Sequence, residues 1–117
     1  MNQNVLKRLL DALQSARYVV DFADGADLDS YRESPLLRSA VERQLEIVGE
    51  ALGRARSEDP SLDDRIPHLL EIVALRNRLA HGYGEIDDGM IWSIVEEEIP
   101  DLIRTLEDLW PNFGDGN

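Results

Sequence analysis

Apolar residues recur at three- and four-residue steps through most of this chain, the spacing that lines one face of an α-helix. This pattern predicts a first helix that ends near Gly25. Its apolar stripe is expected to consist of Val5, Leu6, Leu9, Leu10, Leu13, Ala16, Val20 and Ala23. Residues 21–30 are acidic and indicate a connection. No segment shows sustained strand alternation, so the chain is predicted to be all-α.

The start of a second helix is marked by Ser34 followed by Pro35. Serine can accept a hydrogen bond from an unpaired amide of the first turn, and proline at the first helical position has no amide to satisfy. The helix is expected to run to about Arg56. Within it, Gly49 and Gly53 permit the close approach of a neighbouring helix.

A third helix is predicted after a loop at residues 60–65. It is expected to begin near Pro67 and to end at His81, where Gly82 can adopt the left-handed conformation that closes helices. The inward face is expected to consist of Leu69, Leu70, Ile72, Val73, Leu75 and Leu79.

A fourth helix is predicted after a cap at Asp87 or Asp88. Pro100 is expected to kink or split it, because proline removes a backbone hydrogen bond and clashes with the preceding turn. Four such helices with short connections favour an up-and-down four-helix bundle. Residues 111–117 are expected to form a frayed tail.

Size and composition limit the classes of function that are possible. With 117 residues, the chain is expected to form one domain spanning residues 1–117. It has no cysteine and two histidines, so a cysteine-ligated metal is excluded and no cofactor is expected. Catalysis is expected to be metal-free or to use a carboxylate-bound ion. Charged residues interrupt the apolar positions of the first 20 residues, so we expect a cytoplasmic protein without a membrane segment.

The net charge of −12 opposes general affinity for nucleic acid backbones. Residues 85–115 contain ten acids and Arg104, which gives −9 for that segment alone. Residues 32–84 contain eight arginines, so a locally positive cleft is compatible with the acidic whole. The acidic surface also fits a basic protein partner, or the simple solvation of outer helix faces.

Residues 76–83, with the sequence RNRLAHGY, gather phosphate-binding and proton-transferring side chains at the end of the third helix. Arginine presents a planar fork to phosphate oxygens, and histidine can take and give a proton near neutral pH. On a helix, Asn77 and His81 share a face that Arg76 borders, so the three can line one groove. The helix dipole also favours cations here, so spacing alone does not establish a site.

The order R-N-x-x-x-H-G-Y resembles the signature of HepT-like proteins of the HEPN superfamily. Residues 40–51 also resemble the family's second-helix pattern. The family's spacing from the motif is also found in the residue pairs 66–67 and 86–87 and in the segment 92–95. The resemblance therefore covers most of residues 35–110. It implies the bundle fold predicted above and the pairing of two chains in a homodimer.

The resemblance further implies a ribonuclease toxin that cleaves RNA without a metal, through attack of the ribose 2′-hydroxyl on its own 3′-phosphate. His81 is assigned to proton transfer and Arg76 to the charge that grows on the phosphorane. Asn77 is expected to orient the histidine or the phosphate. Glu50 and Arg78 are expected to line the cleft. Two paired chains would supply acid and base from two copies of His81.

In HepT-like toxins, a partner nucleotidyltransferase antitoxin attaches adenylate to the tyrosine that matches Tyr83, and the resemblance implies the same here. The added phosphate would neutralise the cleft and block substrate. Gly82 and Gly84 would let the loop present the tyrosine hydroxyl to another active site. Without the resemblance, Tyr83 is most simply a surface aromatic.

Two other functions stay open at this point. The bundle can be a non-catalytic subunit that holds a substrate or nucleotide for the transferase, with Arg76 and His81 gripping phosphate. It can also be a plain dimerisation bundle. The acidic net charge favours the non-catalytic binding subunit over a catalyst that acts on RNA.

A carboxylate metal site of the di-iron bundle kind is disfavoured. Glu42, Glu46 and Glu50 recur every four residues, but no E-x-x-H pair occurs in the chain. His68 stands where the family often has tryptophan and is expected to be a surface residue in the first turn of the third helix.

Overall fold

The computed structural model describes residues 2–82 and 86–109 of this chain. The helices are α1 (Gln3–Ala23), α2 (Leu28–Glu33), α3 (Pro35–Glu58), α4 (Leu62–Arg65), α5 (Leu69–His81), α6 (Asp88–Ser93), a π-helical turn (Ile94–Glu98) and α7 (Ile99–Leu109). The described residues contain no strand, so the predicted all-α class is confirmed.

Four long arms form the bundle: α1, α3, α5 and the continuous unit from α6 through the π turn to α7, called here the fourth helix. Helices α3 and α5 are antiparallel, since Gly49 lies against Arg76 while Gly53 lies against Val73. The fourth helix is antiparallel to α5 and to α1, because residues late in one helix contact residues early in the other. Helices α1 and α3 are antiparallel for the same reason. This is the predicted up-and-down four-helix arrangement.

The core contains apolar side chains from all four arms, and each fully buried valine, leucine or isoleucine contributes roughly 1.5–3 kcal/mol. The predicted apolar stripe of α1 is largely buried, but the residues at its edges are not all those that were predicted. Leu10 and Val20 are 38% and 40% exposed, whereas Val19 is fully buried. Val19 follows the buried Ala16 by three residues, so it faces inward and turns Val20 toward solvent.

The connection expected at residues 21–30 is shorter than predicted, because α2 begins at Leu28. Asp27 and Ser30 form a reciprocal capping box, with each side chain accepting a hydrogen bond from the other residue's backbone amide. The helix buries Tyr31, whose ring lies 5.2 Å from that of Trp92. A helix of six residues is too short to show a periodic pattern, so the sequence did not indicate it.

The prediction of a loop at residues 60–65 was wrong, since α4 forms one helical turn there. Leu62 and Ile66 are buried, which holds this turn against the core. Arg56 donates two hydrogen bonds, of 2.7 and 2.6 Å, to the carboxylate of Asp63. This pair holds the pKa of Asp63 below its usual range.

Helix α5 begins at Leu69, two residues later than Pro67. His68 precedes it with φ of 67°, in the left-handed region that side chains other than glycine seldom adopt. Its side chain does not cap the helix. His68 is therefore a junction residue rather than a member of the first turn.

The fourth helix begins as predicted, with Asp87 as its cap. The expected interruption near Pro100 takes the form of the π turn, in which the amide of Ile99 donates to the carbonyl of Ile94. Proline has no amide to donate, and its ring would crowd the carbonyl of Glu96 in a regular α-helix. A wider turn immediately before Pro100 relieves that crowding.

The cap at Asp87 gives a stability test at the start of the fourth helix. Its Oδ1 accepts hydrogen bonds from the amides of Gly89 and Met90, at 2.8 and 3.4 Å. Asp87→Ala is expected to lower the free energy of unfolding by about 1 kcal/mol, measured by urea denaturation. Asp87→Asn keeps an oxygen acceptor and is expected to lose much less. Equal losses in both variants would contradict a capping role.

Within residues 2–82 and 86–109, none of the helices combines the length and the apolar character that a bilayer crossing requires. The tail expected to fray, residues 111–117, lies outside the described residues.

Candidate active site

The motif residues lie in the C-terminal half of α5. The helix continues through His81, and Gly82 then adopts φ of 64° while its amide donates to the carbonyl of Arg78. The predicted helix end is confirmed. Because α5 is regular up to His81, Asn77 and His81 lie one turn apart on the same side of the helix. Both side chains are exposed.

Arg76 and Asn77 line a groove between α3 and α5, called here the α3–α5 groove. Its volume is about 280 Å³, and its walls are Gly49, Glu50, Gly53, Arg54, Ser57, Val73, Arg76 and Asn77. Glu50, which the sequence suggested as a cleft residue, stands in this groove together with the arginine. The groove is open to solvent.

Gly49 allows α3 and α5 to touch directly beneath Arg76. A Cβ atom added to Gly49 would lie 2.3 Å from Cβ of Arg76 and 2.9 Å from the carbonyl oxygen of Ile72. Only a glycine fits this contact, so the stem of Arg76 is held against the backbone of α3. A Cβ added to Gly53 would meet Val73 at 3.8 Å, an ordinary contact.

The charges in the α3–α5 groove leave Arg76 available for an anion. Arg54 and Glu50 form an ion pair at 3.1 Å, so the carboxylate of Glu50 already has a cationic partner. The guanidinium of Arg76 donates to Oδ1 of Asn77 at 3.3 Å. In the part of the chain that the structure describes, Arg76 has no carboxylate partner. The groove thus presents a guanidinium and an adjacent amide, which suits phosphate oxygens.

Arg78 lies on a different side of α5 from Arg76. It lines a groove of about 400 Å³ between α5 and the fourth helix, where its Nη1 lies 3.9 Å from the sulfur of Met90. The structure therefore does not place Arg78 with Arg76 and Asn77. Two residues along a helix correspond to a rotation of about 200°, which explains the separation.

Sequence reasoning did not single out Arg54. It extends the α3–α5 groove toward a second groove of about 400 Å³ between α1 and α3, whose walls include Arg8, Asp11 and Glu50. The available signal was the Glu50–Arg54 spacing of four residues on a helix, which places both side chains on one face. The two grooves together form a surface across three helices that carries Arg8, Arg54 and Arg76.

Tyr83 lies outside the described residues, so the structure does not place its hydroxyl. In sequence it follows Gly82 directly.

Comparison with known proteins identifies the family of this chain. The family model described as "Ribonuclease HepT-like" matches residues 12–109. "Putative RNase MJ1380" of Methanocaldococcus jannaschii is 36% identical over 101 residues, which cover 85% of this chain and 90% of that protein. "Probable ribonuclease HepT" of Thermococcus cleftensis is 29% identical over 101 residues, covering 86% and 91%. No solved structure gives a significant match. The chain belongs to the HepT-like ribonuclease family.

Proposed function

We propose that this chain is the endoribonuclease toxin of a HEPN and nucleotidyltransferase toxin–antitoxin pair, and that it cleaves RNA without a metal at a cleft between two copies. The observation that carries the proposal is the placement of Arg76 and Asn77 in the open α3–α5 groove, one turn before the exposed His81. This arrangement occurs in a chain whose family is named for ribonuclease activity.

The groups at the end of α5 match the needs of RNA cleavage by internal attack. A base takes the proton of the ribose 2′-hydroxyl, and the oxygen attacks the adjacent phosphorus. The bond to the 5′-oxygen breaks, and an acid gives that oxygen a proton. The products are a 2′,3′-cyclic phosphate and a 5′-hydroxyl. His81 transfers protons, and Arg76 stabilises the added negative charge of the phosphorane.

A second copy of the chain supplies what one copy lacks. The reaction needs both a base and an acid, and the C-terminal end of α5 carries one histidine, His81, in each chain. His81 is exposed, and the α3–α5 groove is open on its outer side. Pairing two chains through these ends would bring two imidazoles and two guanidinium groups to one phosphodiester. The site is then complete only in the dimer.

Expression of the chain alone gives the first test. The proposal expects growth arrest, with arrest relieved in Arg76→Ala and in His81→Ala at equal protein levels. Circular dichroism and thermal melting establish that each variant folds. If the chain is a non-catalytic binding subunit, expression alone leaves growth unchanged and purified protein binds RNA without cutting it. That result would remove the proposal.

Tyr83 is proposed to be the site at which the nucleotidyltransferase antitoxin attaches adenylate. After incubation with the antitoxin and ATP, intact-mass spectrometry is expected to show one or more added adenylates and RNA cleavage is expected to stop. Tyr83 is two residues from His81 in sequence, so a bulky, negatively charged group on it is expected to oppose the binding of RNA.

The other tyrosines provide matched controls for this modification. The chain has three tyrosines, of which Tyr18 is 41% exposed and Tyr31 is buried. Tyr18→Phe is expected to keep the mass increase, and Tyr83→Phe to abolish it. An unchanged mass of the wild-type protein, or modification that survives Tyr83→Phe, would refute this switch while leaving the ribonuclease proposal intact.

A further inference from the structure

A cluster of imidazole and carboxylate groups lies at the opposite end of α5 from the RNA site. Nδ1 of His68 lies 3.2 Å from Oε1 of Glu98 and 3.8 Å from Oε2 of Glu71. One ligand atom from each of the three residues lies within 4.8 Å of the others. Two ligands of a tetrahedral ion with bonds of about 2.1 Å stand roughly 3.4 Å apart, so the two separations from Nδ1 of His68 suit a common centre.

Glu98 carries the second observation. Its side chain is 15% exposed, and its Oε1 atom is buried without a hydrogen bond from any residue in the described part of the chain. The nearby Nδ1 of His68 does not have hydrogen-bond geometry toward it. Buried carboxylate oxygens almost always accept a hydrogen bond or bind an ion. The missing partner of Oε1 therefore indicates a place for a ligand.

The charges around Glu98 favour a cation as that partner. The carboxyl groups of Glu71 and Glu98 both lie within 4 Å of Nδ1 of His68, and the side chain of Glu98 is mostly buried. One imidazole does not balance two carboxylates where burial weakens their solvation. A divalent ion between the two carboxylates would balance both charges and give the buried oxygen a ligand bond.

Two irregular backbone features bring the three side chains together. The π turn ends at Glu98, and the extra residue in this turn rotates the glutamate relative to a regular α-helix. On the other side of the cluster, His68 has a left-handed backbone and directly precedes α5. Its ring does not cap that helix. Glu71 lies in the first turn of α5. The cluster thus joins the start of α5 to the middle of the fourth helix.

We propose that His68, Glu71 and Glu98 bind a divalent first-row transition-metal ion, with Zn²⁺ as the best fit. One imidazole nitrogen and two carboxylates form a donor set that zinc accepts, and three protein ligands leave a position for water. The ion binds Nδ1 of His68. Nε2 then carries the proton, and Oδ2 of Asp101 lies 3.7 Å from it. An outer carboxylate that accepts this proton in a hydrogen bond orients a metal-bound histidine.

This metal site is separate from the proposed RNA site. His68 precedes α5 and His81 ends it, and 13 helical residues span roughly 20 Å. The ion would therefore clamp α5 to the fourth helix without contacting the substrate. The inference does not rest on the proposed function and stands even if the chain cuts no RNA.

Zinc titration of the full chain tests the site. The protein is first treated with a chelator and dialysed, and Zn²⁺ binding is then measured by isothermal titration calorimetry. We expect one ion per chain, with at least a tenfold loss of affinity in His68→Gln and in Glu98→Gln. His81→Gln replaces the only other histidine and is expected to bind like wild type. Circular dichroism establishes that each variant folds.

Mn²⁺ locates the ion without relying on affinity. The chain has two histidines, so single variants assign their imidazole signals in an NMR spectrum. We expect substoichiometric Mn²⁺ to broaden the signals of His68 and to leave those of His81 sharp. Absence of saturable Zn²⁺ binding, or a Zn²⁺ site that is lost in His81→Gln and kept in His68→Gln, would overturn the proposal. In that case Glu71 and Glu98 are a carboxyl pair that shares a proton.

Discussion

Replacement of Gly49 by alanine is expected to destabilise the bundle by about 2 kcal/mol, because the added methyl group overpacks the contact between α3 and α5. The new Cβ would lie 2.3 Å from Cβ of Arg76 and 2.9 Å from the carbonyl oxygen of Ile72. Neither atom is the free end of a flexible side chain, so the helices must move apart. Alanine's higher helix propensity, worth about 1 kcal/mol, offsets only part of this cost.

Gly53 provides a control on the same face of α3, one turn further along. An added Cβ there would meet only Val73 side-chain atoms, at 3.8 and 3.9 Å. Gly53→Ala is therefore expected to raise the free energy of unfolding by up to about 1 kcal/mol. Urea denaturation of both variants measures the two effects. If Gly49→Ala were as stable as wild type, the close contact under Arg76 would be wrong.

Replacement of Arg76 by alanine is expected to lower the rate of RNA cleavage by about 100- to 1000-fold, with little effect on folding. The guanidinium stands in the α3–α5 groove without a carboxylate partner among the described residues, so its charge is available to the phosphorane. Arg76→Lys keeps a charge but loses the planar fork and is expected to recover only part of the rate. Single-turnover cleavage of a labelled RNA measures these rates.

Arg78 is the matched control, since it has the same side chain two residues further along α5. It faces Met90 in the groove on the other side of the helix. Arg78→Ala is expected to change the cleavage rate less than tenfold. A loss in Arg78→Ala equal to that in Arg76→Ala would show that general positive charge, rather than the α3–α5 groove, supports the reaction.

The motif was predictable from sequence because its residues are local. Asn77 and His81 lie four residues apart in one helix, so periodicity alone places them on one side, and Gly82 marks where that helix ends. The long helices followed from their apolar spacing in the same way. Family membership also followed from the motif together with the pattern of α3, and the match to the HepT-like ribonuclease family model confirms it.

Features that depend on distant residues or single turns were not predictable. Helix α4 is one turn long and is held by burial of Leu62 and by the Arg56–Asp63 pair, neither of which leaves a periodic signal. The contact between His68 and Glu98 joins residues 30 positions apart. Pro100 predicted an interruption of the fourth helix, but it did not indicate that the π turn would bring Glu98 to His68. The roles of Arg76, Asn77, His81, Glu50 and Tyr83 in the reaction stay predictions.

The most direct test of the account is the single-turnover rate at which purified, folded wild-type protein and His81→Ala cleave the same RNA, in the presence of a chelator. Loss of an acid–base group is expected to slow cleavage by about 100- to 10,000-fold. The wild-type products are expected to carry a 2′,3′-cyclic phosphate and a 5′-hydroxyl. A His81→Ala protein that cuts the RNA at the wild-type rate would contradict the assignment of proton transfer to the end of α5.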